Sequence, residues 1–97
     1  MKFAVLAQGR EIGEQTDPIG YVEANSEAEA HEKLGTECVH DGENGFFSTY
    51  IRHPNDRMID LISFADIGKD KITSWDELSK LVQIQSPEHL DELLLGN

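Results

Sequence analysis

Residues 46–63 read Phe46-Phe47-Ser48-Thr49-Tyr50-Ile51-Arg52, then His53-Pro54-Asn55-Asp56, then Arg57-Met58-Ile59-Asp60-Leu61-Ile62-Ser63. Two runs rich in aromatic and β-branched residues flank four residues of turn chemistry, which predicts a β-hairpin with strands at Phe46–Arg52 and Arg57–Ser63. Phe46 and Phe47 are adjacent, so one ring must point away from the core, either under a helix or into a contact patch. The hairpin needs further strands and a covering layer, because two strands alone are marginal in water.

Those partners are found by reading outward. Lys2 to Gln8 alternates, with Phe3, Val5 and Ala7 on one side and Ala4 and Leu6 on the other, and reads as a strand. Gly9 to Pro18 is a polar connection, and Ile19 to Ala24 reads as a second strand antiparallel to the first. Ser26-Glu27-Ala28-Glu29 has the spacing of a capping box, and the helix it starts should run to Leu34, with Gly35 as its C-terminal stop. Residues 36–45 read as a loop with turn signals at Asp41-Gly42 and Asn44-Gly45.

Beyond the hairpin, 66–71 is polar without a clear state. Ser74-Trp75-Asp76-Glu77 is a second capping box, whose helix would put Trp75, Leu78, Leu81 and Val82 on one face. At that spacing Trp75 reads as core rather than as a binding anchor. Ser86-Pro87-Glu88 starts a third helix with proline at its first position. Leu90, Leu93 and Leu94 form its inner stripe, Leu95 falls on its acidic side, and Gly96 ends it. The order β-β-α-β-β-α-α predicts a single α+β domain over 1–97: a small antiparallel sheet with about three helices packed on one face.

Charge narrows the function. Nineteen Asp and Glu stand against eight Lys and Arg, for a formal charge of −11. That balance disfavours direct nucleic-acid binding, which needs positive charge, and anionic membrane surfaces. A basic partner fits it. No stretch approaches bilayer-spanning length. The apolar run near Met1 is too short for a secretory signal, and Cys38 is the single cysteine, so a reducing cytosol is expected.

Catalytic and metal chemistry find little support. Cys38, His40 and Asp41, with His31 nearby, supply zinc-ligand types, but with no CxxC or HxxxH pair they read as a free cysteine beside surface histidines. His53 and His89 are the other two histidines. Asp41-Gly42-Glu43-Asn44-Gly45 suggests calcium, yet Phe46 and Phe47 interrupt the alternating oxygens such a loop needs, so a turn fits better. With nineteen carboxylates, close pairs arise by chance, and neither a nucleophile elbow nor a phosphate-binding glycine loop is present. The expectation is a protein with no catalytic residues, no metal and no cofactor.

The carboxylates are unevenly placed. From Glu11 to Glu43 ten acids accompany one base, Lys33. Glu27, Glu29, Glu32, Glu37, Asp41 and Glu43 form one candidate partner-binding array. Glu88, Asp91 and Glu92, at i, i+3 and i+4 opposite the leucine stripe, form a second. Such neighbours repel slightly along a helix. They serve either as a solvated face that maintains solubility or as an array imitating nucleic-acid phosphates, whose docking would be salt-sensitive. Glu29 and Glu32 are expected on an exposed face where charge reversal leaves folding intact.

The whole chain, from Met1-Lys2-Phe3-Ala4-Val5-Leu6 to Glu92-Leu93-Leu94-Leu95-Gly96-Asn97, resembles small acidic anti-CRISPR proteins of phages and prophages, in particular the type I-F inhibitors that act as DNA mimics. The resemblance is one of length and character, with no short motif. It implies a host-defence inhibitor that binds the Csy surveillance complex, a protein–RNA assembly, at the site recognising the target duplex and its flanking motif. The opening β-β-α, with Ala24-Asn25-Ser26-Glu27-Ala28-Glu29-Ala30 starting the helix, also resembles small antitoxin domains of the HicB-like kind. That implies an acidic antitoxin or immunity protein neutralising a basic nuclease. An antirestriction DNA mimic is a third reading that differs only in partner.

Overall fold

The computed structural model describes residues 1–7, 17–40, 48–53, 56–66 and 80–95. Its elements are β1 (Lys2–Ala7), β2 (Asp17–Glu23), α1 (Glu27–Leu34), β3 (Thr36–His40), β4 (Ser48–Arg52), β5 (Arg57–Ser63), a single 3-10 turn (Phe64–Asp66) and α2 (Pro87–Leu95). The five strands form one sheet in the order β2-β1-β5-β4-β3, with every neighbouring pair antiparallel. The α+β class holds. The hairpin is present as β4 and β5, in register from Arg52↔Arg57 to Ser48↔Leu61.

Period-two alternation assigns the two faces of the sheet. Phe3, Val5, Ala7, Val22, Tyr50, Ile59 and Leu61 face the helices, where they meet Ala30 and Leu34 of α1 and Leu90 and Leu94 of α2. Ala4, Leu6 and Ile62 face the other way and form a smaller cluster with Phe64 and Leu81. Strand β1 is therefore buried on both faces, which accounts for its unbroken apolar run Phe3–Ala7.

Both helices start, and α1 stops, as their residue types dictate; Gly96, the expected end of α2, lies outside the described residues. Ser26 caps α1 by accepting from Glu29 N at 3.1 Å, while the Glu29 carboxylate reaches back to Asn25 N at 3.3 Å. Gly35 closes α1 in the left-handed conformation, φ 63°, with its N–H on Glu32 O. Ser86 accepts from His89 N at 3.1 Å and so caps α2, with Pro87 at its first position.

Two expectations are corrected. Residues 36–40 are strand, not loop. Their side chains are exposed from Glu37 onward, so no alternation of buried and exposed residues marks them. Pairing with β4 holds them, with a register shift between Cys38 and His40. The described residues contain two helices rather than three. Residues 74–79 of the expected middle helix, including Trp75 and Leu78, lie outside the described residues, as do Phe46 and Phe47. Its expected end is not helical: Val82 O accepts from Tyr21 N at 2.9 Å and Ile84 N donates to Tyr21 O at 2.7 Å, a parallel bridge along the outer edge of β2. Among the described residues no helix is long and apolar enough to cross a membrane.

Gly20 permits that bridge. A Cβ there would sit 2.9 Å from Val82 O and 2.9 Å from both Cγ1 and Cδ1 of Ile84. Because Val82 O is backbone, relief requires residues 82–84 to move. Gly20→Ala should lower unfolding free energy by about 1–3 kcal/mol, the usual range for overpacking. Chemical denaturation measures it; an unchanged midpoint would mean that residues 82–84 do not seat against β2.

Candidate functional site

The acidic arrays divide by what each carboxylate does inside the fold. Glu27, in the first turn of α1, is half-buried and accepts the Tyr50 hydroxyl at 2.6 Å. Tyr50 rises from β4 into the core, 2% exposed, with its ring stacked on His31 at 5.2 Å. His31 Nδ1 lies 3.1 Å from Thr36 O, and Thr36 Oγ1 donates back to His31 O. Burial, reinforced by the hydrogen bond to Glu27, pushes the Tyr50 hydroxyl well above the ordinary tyrosine range.

Glu29 belongs to the cap of α1 and also pairs with Lys33 Nζ at 3.5 Å. Its reversal therefore carries a folding cost, contrary to expectation. Asp91, expected on an outward face of α2, is held by Arg52 of β4 in a two-pronged contact: Nε to Oδ1 at 3.1 Å and Nη2 to Oδ2 at 3.0 Å. Arg52 also donates to Gly35 O at 3.1 Å and to His53 O. One guanidinium thus joins β4, the end of α1 and α2.

The remaining array members stay outside. Glu37 is exposed on β3 and meets His53 Nε2 at 3.0 Å, while His53 Nδ1 lies 3.4 Å from Asp56 Oδ1. These exposed pairs contribute little to stability. Glu32, Glu88 and Glu92 are exposed, and among the described residues their carboxylates meet no cation. Asp41 and Glu43 lie outside the described residues, so the suggested calcium turn does too. Cys38 and His40 are exposed on β3, and His31 is turned inward on Tyr50. Among the described residues no group of three or more His, Cys, Asp or Glu is arranged to hold a metal.

Glu32 and Glu92 share a further property. Each lies in the last turn of its helix, where unsatisfied carbonyls carry partial negative charge and disfavour a carboxylate by about 0.3–1 kcal/mol. Helix α2 has no basic residue in that turn. Both helices cover the same face of the sheet, and Glu32, Glu88 and Glu92 are each exposed on this layer, opposite its buried residues. The nearby cations point elsewhere: Lys33 to Glu29 and Glu23 O, Arg52 to Asp91, Arg57 to Leu94 O, and Lys2 over the Tyr21 ring.

Spacing along the chain missed three polar contacts, two part-buried and one buried. Tyr50–Glu27 and Arg52–Asp91 join residues far apart in sequence. Asp60, 1% exposed on the far face, accepts from Thr49 Oγ1 at 2.7 Å across the hairpin. Its only sequence signal is a carboxylate inside the apolar run Ile59–Ile62. No family model, curated protein or solved structure matches the chain.

Two predictions test this sorting. In a double-mutant cycle of Arg52→Met and Asp91→Asn, unfolding should show a coupling of about 1–3 kcal/mol, as for a partly buried charged hydrogen bond. Additivity would place Asp91 back among the solvent-facing acids. The second concerns Tyr50, whose folded form favours the neutral phenol. That contribution is complete below the ordinary tyrosine value of about 10 and is lost as pH climbs above it. Wild-type stability should therefore fall more steeply than that of Tyr50→Phe in alkaline unfolding above about pH 10; parallel curves would refute it.

Proposed function

We propose that this protein is a non-catalytic inhibitor that docks its acidic helical layer into the nucleic-acid-binding groove of a basic partner. One observation carries the reading. Glu32 and Glu92 are exposed, form no ion pair among the described residues, and sit in the last turns of their helices, where the dipoles oppose them. The fold does not need these charges, whereas a basic groove does. The net charge of −11 adds long-range steering toward such a groove.

The resemblance to acidic type I-F anti-CRISPR proteins gives the partner: the Csy complex of a bacterial cytoplasm, at the site that receives target duplex. In this reading the carboxylates of Glu32, Glu88 and Glu92 stand in for phosphates. The protein binds no nucleic acid itself and excludes DNA by occupying its place.

The test is a gel-shift competition, with Csy complex offered labelled target duplex before or after addition of the protein. The shifted band should disappear when the protein is added first, and should return as salt is raised. Glu32→Lys with Glu92→Lys should weaken inhibition by about tenfold or more, and should raise rather than lower helix stability because both lysines suit a helix C-terminus. DNA binding that persists with the protein in excess would overturn the Csy assignment. Full inhibition by the double variant at physiological salt would overturn the helical layer as the docking surface.

A further inference from the structure

The sheet ends differently at its two edges. The outer edge of β2 is closed by Val82 and Ile84 at 2.9 and 2.7 Å. At the opposite end no described segment pairs with the outer side of β3, and Glu37, Cys38, Val39 and His40 are all exposed. Val39 alone leaves 55% of its surface in water. An open row of backbone donors and acceptors is a template for another strand.

The side chains of that strand favour one occupant. Cys38 is opposite Tyr50 and so lies on the helical side of the sheet, while Glu37 is opposite Ile51 and His40 opposite Thr49, on the far side. The register shift between Cys38 and His40 is what puts Glu37 and His40 on the same side despite their odd spacing. We propose that β3 pairs antiparallel with β3 of a second copy of this chain, about a two-fold axis passing between Cys38 and Val39. Glu37 then stands across from His40 of the second copy, and His40 across from its Glu37. The Glu37 carboxylate, whose Oε2 meets His53 of its own chain at 3.0 Å, accepts at its other oxygen from an imidazole N–H of His40 in both pairs, on one continuous face. The edge charges that would blunt pairing with an unrelated strand are here self-complementary.

Two chains of charge −11 also repel. That repulsion is screened beyond about 8 Å at physiological ionic strength, so self-pairing strengthens with salt. Docking on a basic groove has the opposite salt dependence, so the two associations are separable.

Sedimentation equilibrium of the full chain at about 0.05 M and about 0.5 M sodium chloride tests the inference. A monomer–dimer equilibrium is expected, tighter at high salt. His40→Glu, which sets like charges opposite each other twice, should weaken the dimer by about tenfold. Glu37→Lys combined with His40→Glu should restore it, with circular dichroism reporting that each variant is folded. A wild-type chain monomeric up to about 1 mM at both salts would overturn the proposal. So would a His40→Glu dimer as tight as wild type, or a folded swap variant that stays as weak as His40→Glu.

Discussion

Beyond its exposed first residue, Lys2, strand β1 has no side that water reaches. Its residues from Phe3 to Ala7 are at most 4% exposed, although their side chains alternate between the two faces of the sheet. A strand of that kind must be internal, so it needs a neighbour along each edge and a cover on each face. The neighbours are β2, next in the chain, and β5, which brings β4 with it through the hairpin. The covers are unequal. Both helices pack on Phe3, Val5 and Ala7, whereas Ala4 and Leu6 are met by Ile62, Phe64 and Leu81. Each large apolar side chain removed from water here is worth about 1.5–3 kcal/mol, so the placement of β1 outweighs any single polar contact.

Burial sets the layers but not how the helices sit on them. That orientation falls to Arg52. Its planar guanidinium spans Asp91 of α2 and Gly35 O at the end of α1, a geometry that a lysine ammonium cannot reproduce. The left-handed Gly35 has the Pro87 ring so close that an added Cβ would lie 3.0 Å from its Cγ. The C-terminus of one helix and the N-terminus of the other therefore meet at a single junction above β4.

Local rules made much of this legible. The hairpin, the pairing of the first two strands, both described helices and their caps follow from residues within a few positions of one another. The signal failed where stability comes from elsewhere in the chain. Thr36–His40 is an edge strand with exposed side chains, so the alternation that betrays a half-buried strand is absent. Leu81 and Val82 match a helical spacing, yet the chain there is drawn out along β2 because Gly20 leaves room for Ile84. The acidic arrays were legible as composition only. Nothing in the spacing of Glu27 or Asp91 reveals a tyrosine 23 residues away or an arginine 39 residues away that claims it.

Once those claims are met, the acids that remain are informative by position. A face that only maintains solubility needs negative charge somewhere on its surface, and the first turn of a helix is the favourable place for it. Glu27, Glu29 and Glu88 follow that preference. Glu32 and Glu92 do not: Lys33 shares the last turn of α1, and Arg52 and Arg57 donate to Gly35 O and Leu94 O at the helix ends, yet among the described residues none of these cations pairs with either carboxylate. Their helices would be slightly more stable with lysine there. Charge held against the local preference of the fold is what a surface complementary to a basic groove requires, because the groove offsets outside the molecule what the helix dipole disfavours within it.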